Sequence, residues 1–163
     1  MRSAIACSVC VGLTAAAVTK AHWPARMQRL TRGPLVEAAG TCELWLDGGH
    51  NPAGGVAVAA TLARMVRKPT HLVLGMLNTK DIAGYLRPVA AEARTLTAVS
   101  IPGEANTLSA EETQAAAARA GIEADTAGSV LAAVTRIAAA DPGARILICG
   151  SLYLAGGVLR ENG

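Results

Sequence analysis

From residue 42 onward, short apolar runs alternate with stretches whose apolar residues recur at helical spacing, and this alternation constrains the fold most. The runs predict strands at 42–46, 71–76, 95–101 and 145–149, with a weaker strand at 122–125. The other stretches predict helices at 52–67, 80–93, 109–120 and 127–140. Apolar strands that alternate with helices predict an α/β fold, with an open, mostly parallel, Rossmann-like sheet covered by helices on both faces.

Composition excludes several classes of protein. The chain has 163 residues, 52% of them hydrophobic, and a net charge of +3. Intrinsic disorder requires low hydrophobicity and high net charge, so the chain is expected to be globular. It is long enough for one ordinary domain to bury a core without disulfides or metal. The small charge and the few aromatic residues (two Trp, two Tyr and no Phe) give little support to nucleic-acid binding.

The N-terminal stretch admits two interpretations. Arg2 followed by the apolar residues 4–18 resembles a secretory signal, although no clear small-residue cleavage site follows and the run is too short to span a bilayer. The alternative is an Ala-rich helix. Cys7 and Cys10 form a C-x-x-C, which is found in redox pairs and zinc sites. Since no second such pair follows, we interpret both thiols as ordinary apolar residues of a helix, in keeping with a cytoplasmic protein.

Polar residues follow the first predicted strand, at an edge where open α/β sheets bind ligands. In the turn from Asp47 to Pro52, Asn51 suits a helix N-cap and Pro52 a first helical residue. Capping does not explain Asp47 or His50. A carboxylate there is able to accept hydrogen bonds from ribose, and an imidazole is able to contact a base. The alternative is that both residues only shape the turn.

Two further turns carry groups that suit an anion. We expect Lys80 in the first turn of a helix capped by Asn78 or Thr79, where the helix dipole disfavours a cation unless an anionic ligand binds. The alternative is a solvated lysine paired with Asp81. Ser151 begins another predicted helix and offers a hydroxyl and free N–H groups. Because it lacks the G-x-S-x-G pattern of a nucleophile, its alternative is a plain N-cap.

Arg26 is a candidate for a charge-assisted contact to phosphate, its alternative being a surface arginine. The 163 residues contain no G-x-x-x-x-G-K-[ST] sequence. The chain therefore cannot cradle a nucleoside triphosphate in the P-loop manner by itself.

Four stretches in this order resemble motifs of the bacterial bifunctional folylpolyglutamate synthase/dihydrofolate synthases, which are Mur-ligase-like ATP-dependent amide ligases. They read W-P-A-R-M-Q-R-L, L-W-L-D-G-G-H-N-P-A-G-G, L-V-L-G-M-L-N-T-K-D-I and I-C-G-S-L-Y-L-A-G-G-V. The resemblance runs from about residue 20 to about residue 161. One departure is Gly49, which stands where many members have Ala.

The resemblance implies a reaction and a set of binding residues. These ligases use ATP to convert a pteroate or folyl carboxylate into an acyl phosphate, which the amine of L-glutamate attacks. By motif match, Arg26 would reach the ATP phosphates, Asp47 the ribose and His50 the nucleotide. By analogy with the related Mur ligases, Lys80 and Ser151 would hold glutamate carboxylates. The resemblance assigns no catalytic or metal-ligating residue to this chain.

The resemblance also implies a division of the chain and a missing part. Residues 1–40 are expected to be a remnant helix and linker, and residues 41–163 a Mur-ligase-like C-terminal domain. The family's N-terminal ATPase domain, with its P-loop, its Mg ligands and most of the folate site, has no counterpart in the sequence. We therefore expect a chain that is inactive without such a partner, with ATP, Mg, L-glutamate and folate or dihydropteroate as the ligands and no nucleic acid or membrane involved. The alternatives are a stand-alone nucleotide or amino-acid binding module and the product of a decaying gene.

Overall fold

The structure is a computed structural model that describes residues 24–163, so the expectations for the signal-like stretch and for Cys7 and Cys10 lie outside the described residues. The strands are β1 (Gln28–Leu30), β2 (Glu43–Leu46), β3 (Thr70–Leu74), β4 (Thr95–Ala98), β5 (Ala124–Thr126) and β6 (Arg145–Cys149). The α-helices are α1 (Pro34–Ala39), α2 (Pro52–Arg64), α3 (Ile82–Val89), α4 (Ala110–Arg119), α5 (Val130–Ala140) and α6 (Leu152–Asn162), and a short 3-10 helix (Ala90–Glu92) follows α3.

The six strands form one sheet in the order β1-β2-β6-β3-β4-β5. β1 is antiparallel to β2, and all the other pairs are parallel. Every residue of the central strands β3 and β6 is buried, as expected where helices cover both faces of a parallel sheet. The predicted fold class is therefore confirmed.

The two faces of the sheet carry separate apolar clusters. On one face α1, α5 and α6 pack through residues such as Leu35, Ile137 and Val158. On the other face α2, α3 and α4 pack through residues such as Leu62 and Leu86. No helix within residues 24–163 combines the length and the apolar character needed to cross a membrane.

The predicted elements occur in the predicted order, but most of them are shorter than predicted. The run at 95–101 ends as a strand at Ala98, although Val99 and Ile101 are also buried. There the chain leaves the sheet, and the Ile101 N–H donates to the Thr107 hydroxyl at 2.9 Å instead of to a strand. An apolar run therefore predicted burial more reliably than it predicted hydrogen bonding to a neighbouring strand.

The segment before residue 42 contributes an edge strand and a helix that the sequence did not predict. Arg29 of β1 lies opposite Trp45 of β2, with its guanidinium carbon 6.0 Å from the centre of the indole ring. At the start of α1, the Leu35 N–H donates to the side chain of the buried Asn162 at 3.0 Å. These contacts join residues 28–39 to the sheet and to α6. The domain division at residue 40 stays a prediction.

Candidate functional site

The carboxyl ends of three neighbouring strands meet at one edge of the sheet. β6 lies between β2 and β3, so the loops 47–51, 150–151 and 75–81 leave the sheet side by side. Two glycines allow these loops to approach closely. A Cβ on Gly48 would lie 2.4 Å from a methyl carbon of Leu152, and one on Gly150, where φ is +103°, would lie 2.8 Å from the Gly75 carbonyl oxygen. The sequence candidates that follow β2, β6 and β3 therefore share one edge.

Asp47 connects the loop after β2 to the N-terminal segment. The residue is 5% exposed. One carboxylate oxygen accepts from the Gly49 N–H at 2.7 Å, and the other accepts from the Met27 N–H at 2.8 Å. Beside them, the Gly48 N–H donates to the Ala25 carbonyl at 2.8 Å. Asp47 thus holds the backbone next to Arg26 against the carboxyl edge of the sheet.

Arg26 and Asp47 line the same cleft, which has a volume of about 230 Å³. Arg26 is exposed, and its neighbours Ala25 and Met27 both have positive φ, at 56° and 41°. Such backbone is uncommon for residues other than glycine and persists only where surrounding contacts hold it. The hydrogen bonds made by Asp47 and Gly48 are such contacts. The structure therefore brings two of the three candidate nucleotide-binding residues together.

His50 is half-buried and lies in the same loop as Asp47, but it does not line the cleft. Its Nδ1 lies 2.9 Å from the Gly48 carbonyl oxygen. Because a carbonyl only accepts hydrogen bonds, this contact places a proton on Nδ1, and in the neutral imidazole Nε2 is then an acceptor. After His50, the Asn51 side chain accepts from the Gly54 N–H at 2.8 Å and Pro52 begins α2, so the predicted helix start is confirmed.

The predicted start of the next helix was wrong. Asp81, rather than Asn78 or Thr79, caps α3, and its side chain accepts from the Gly84 N–H at 2.9 Å. A carboxylate suits this position because it both accepts a hydrogen bond and complements the helix dipole.

Lys80 lies one residue before that cap and not in the first turn of the helix. It is exposed, and within residues 24–163 it forms no ion pair, with Asp81 or with any other carboxylate. Its ammonium group therefore lies on the loop after β3 without a carboxylate partner in the part of the chain that the structure describes.

Ser151 is 3% exposed and caps α6. Its hydroxyl oxygen accepts from the Tyr153 N–H at 3.0 Å. A hydroxyl that accepts one hydrogen bond still has its own proton to donate. Capping and ligand binding are therefore compatible at Ser151.

Tyr85 supports the loop that carries Asp47 and His50, and sequence reasoning did not identify it. The side chain is fully buried in α3, and a Cβ on Gly49 would lie 3.6 Å from its ring. Burial raises the pKa of Tyr85 well above its ordinary value and raises the pKa of the nearby Cys149 thiol to about 12. Both groups remain neutral, so they act as packing beneath the loop. A tyrosine at an apolar helical position carries no sequence signal beyond burial.

No group of three or more His, Cys, Asp or Glu side chains within residues 24–163 has an arrangement suitable for holding a metal ion.

Residues 25–152 match the family model described as Mur ligase, glutamate ligase domain. The chain belongs to this family. The match begins next to Arg26 and ends next to Ser151, so it spans all three loops of the carboxyl edge. It also covers the edge strand β1 that the sequence did not predict.

Relatives with longer chains share this domain. A folylpolyglutamate synthase of Lacticaseibacillus casei is 31% identical over 141 residues, which are 84% of this chain and 29% of that protein. The structure of Mycobacterium tuberculosis folylpolyglutamate synthase complexed with ADP and AMPPCP is 28% identical with a TM-score of 0.71, over 88% of this chain and 33% of that one. E. coli FolC in complex with DHPP and ADP is 22% identical with a TM-score of 0.70, over 88% and 32%, and this likeness supports the fold alone. The Mur ligase domain thus spans about a third of the length of these relatives.

Proposed function

We propose that this Mur ligase domain is the C-terminal part of an ATP-dependent folate ligase that adds L-glutamate to dihydropteroate or tetrahydrofolate. The proposal rests on one observation: the loops after β2, β6 and β3 meet at one edge of the domain. The family to which the domain belongs is described as a glutamate ligase domain. The name of the Lacticaseibacillus casei relative supports folate as the substrate class.

The cleft beside Arg26 suits part of a nucleotide. Its volume of about 230 Å³ is smaller than the roughly 300–1,000 Å³ of a typical small-molecule site, so it has room for a fragment of ATP and not for all of it. We assign the exposed Arg26 guanidinium to the phosphates. Asp47 uses two of about four lone-pair sites on backbone N–H groups, which leaves acceptors for ribose hydroxyls. His50 offers Nε2 as an acceptor for the nucleotide.

Lys80 and Ser151 suit the carboxylates of L-glutamate. Lys80 offers an ammonium group that forms no ion pair within residues 24–163, and Ser151 offers a hydroxyl proton at the start of α6. The two residues follow adjacent strands, since Leu74 of β3 pairs with Cys149 of β6. Cations and N–H or O–H donors are the groups that recognise carboxylates.

In the proposed reaction, ATP supplies the phosphoryl group that activates the carboxylate of the pteroate or folate. The glutamate nitrogen then attacks the activated carbonyl carbon, the C–N bond forms and the C–O bond to phosphate breaks. The residues of this chain bind and orient glutamate and part of the nucleotide, and they exclude water from the activated carboxylate. We propose that an N-terminal ATPase domain, on the same or another polypeptide, supplies the P-loop, the Mg ligands and most of the folate site.

The first test is phosphate release by the 163-residue chain with ATP, Mg, L-glutamate and dihydropteroate or tetrahydrofolate. We expect no turnover above the background without protein, because stabilisation of the transferred phosphoryl group comes from the P-loop and the metal. Glutamate-dependent turnover by this chain alone would contradict the proposal.

The second test joins this chain to the N-terminal two thirds of the Lacticaseibacillus casei relative. We expect glutamate-dependent phosphate release from the fusion. In it, Lys80→Gln is expected to raise the KM for glutamate at least tenfold, because one charge-assisted contact is lost. Arg119→Gln, which removes an exposed cation from α4, is the matched control. A fusion without activity, together with binding of ADP or L-glutamate by the chain alone, would favour a stand-alone binding module.

A further inference from the structure

A second cleft lies at the opposite edge of the sheet, where the proposed function has no role for it. Its volume is about 410 Å³. Thr70 and Arg145 line it, and they are the first residues of β3 and β6 and pair with each other across the two strands. The other polar side chains of its wall are Arg67, Lys68 and Glu92. The cleft therefore lies at the amino ends of the parallel strands, away from Asp47 and Ser151.

Arg145 is the buried group of this cleft. It is 3% exposed. One terminal nitrogen donates to the Val66 carbonyl at 2.9 Å and the other to the Thr70 hydroxyl at 3.4 Å. Nε forms an ion pair with a carboxylate oxygen of Glu43 at 3.4 Å, but it has no hydrogen-bond partner among residues 24–163. A guanidinium has about five N–H donors, so about three of those on Arg145 lack a hydrogen-bond acceptor among residues 24–163, and a buried donor without an acceptor is costly.

The charge of the cleft favours an anion. Arg67, Lys68 and Arg145 contribute three positive charges, whereas among residues 24–163 Glu92 contributes the one negative charge of the wall. Just outside the wall, Glu43 pairs with Lys68 at 2.9 Å and with Arg145 at 3.4 Å. When Glu43 is counted as well, three cations face two carboxylates, and the exposed Arg67 forms no ion pair with any described residue.

We propose that this cleft binds a small phosphate-bearing anion. Guanidinium groups recognise phosphate through paired N–H donors, and here two of them, Arg67 and Arg145, line the same cavity. The volume falls within the range of about 300–1,000 Å³ that small-molecule sites occupy, so it accommodates a phosphate ester of a small metabolite as well as free phosphate. This site is distinct from the proposed nucleotide site and does not depend on the proposed ligase function.

The test is a titration of the full chain with inorganic phosphate at constant ionic strength, followed by ¹⁵N–¹H NMR. We expect saturable shifts of the backbone signals of residues 67–70, 91–92 and 145. Arg67→Gln is expected to weaken binding at least tenfold. Arg64→Gln removes an exposed cation three residues earlier and outside the cleft, so it is expected to leave the affinity within twofold.

Each other outcome overturns the proposal in a definite way. The absence of saturable shifts, or equal affinities of the Arg64 and Arg67 variants, would mean that Arg145 only joins β3, β6 and the loop between α2 and β3. Shifts confined to residues 47–51 and 150–152 would assign phosphate to the carboxyl edge instead. A parallel titration with citrate separates the two anion classes, and a response to citrate without one to phosphate would refute the assignment to phosphate.

Discussion

Replacing Asp47 with Ala tests whether this carboxylate holds the N-terminal segment in place. The change removes the acceptors of two backbone N–H groups, those of Met27 and Gly49, at 2.8 and 2.7 Å. Each hydrogen bond to a charged group contributes about 1.5–3 kcal/mol, and a buried donor left without a partner retains its desolvation cost. Both bonds together set an upper limit of about 6 kcal/mol. Because the Met27 contact is only partly buried, water is able to reach that N–H, and we expect a loss of about 3 kcal/mol.

The assay is thermal unfolding followed by circular dichroism. For a domain of this size, 1 kcal/mol corresponds to a Tm change of about 2–4 °C, so Asp47→Ala is expected to lower Tm by about 6–12 °C. The matched control is Asp125→Ala. Asp125 forms an ion pair with Arg136 at 2.8 Å, but its side chain is 57% exposed. Exposed pairs contribute less than about 1 kcal/mol, so the control is expected to shift Tm by less than about 4 °C.

The comparison of the two aspartates decides the outcome. If Asp47→Ala lowers Tm no more than Asp125→Ala does, Asp47 does not hold the N-terminal segment, and the two hydrogen bonds carry no net stability. Asp47→Asn supplies a second check, because the amide keeps the size of the side chain but turns an N–H donor toward one of the two backbone donors. We expect it to recover less than half of the loss.

Two further predictions concern packing and pH. A Cβ on Gly55 would lie 2.4 Å from the backbone oxygen of Tyr85, so Gly55→Ala is expected to separate α2 from α3 and to lower the free energy of unfolding in urea by about 1–3 kcal/mol. The control is Gly128→Ala, because a Cβ on Gly128 would have nothing within 4 Å. Equal unfolding midpoints for the two variants would contradict this prediction. The pKa of Glu43 is lowered from 4.5, chiefly by its hydrogen bond to Lys68, so the unfolded state binds more protons and stability falls as pH drops below about 4.5. Glu43→Gln is expected to flatten the dependence of stability on pH in this acid range. The exposed control is Glu123→Gln, and an equal slope of stability against pH in the two variants would contradict the prediction.

The sheet could be predicted from the sequence because its central strands are buried on both faces. His71–Leu74 and Ile146–Cys149 lie in near-continuous apolar runs with helical stretches on either side, and this pattern has few other solutions. The edge strand β1 could not be predicted in this way. Gln28 and Arg29 are polar and the strand is three residues long, so its position depends on pairing with β2 and not on its own composition.

The N-terminus of α3 could not be predicted from residue preferences alone. Asn78, Thr79 and Asp81 are all good N-caps, and the sequence does not say which of them stands at the start of the helix. In the structure, residues 77–80 form a turn in which the Lys80 N–H donates to the Leu77 carbonyl at 3.1 Å, and the helix begins only after Asp81. This shift of two or three residues moved Lys80 out of the helix and removed the dipole argument for an anion at that residue.

Asp47 shows the limit of sequence reasoning at the site itself. A carboxylate after a buried strand suits a ligand, but its two partners here are backbone groups, one of them 20 residues earlier in the chain. The two roles are compatible, since Asp47 holds Met27 and thereby positions the neighbouring Arg26 at the same cleft. A loss of nucleotide affinity in an Asp47 variant is therefore not by itself a sign of a ribose contact. If Asp47 acts only through Arg26, its removal costs nothing further once Arg26 has been replaced by Gln, whereas a direct contact adds its own loss.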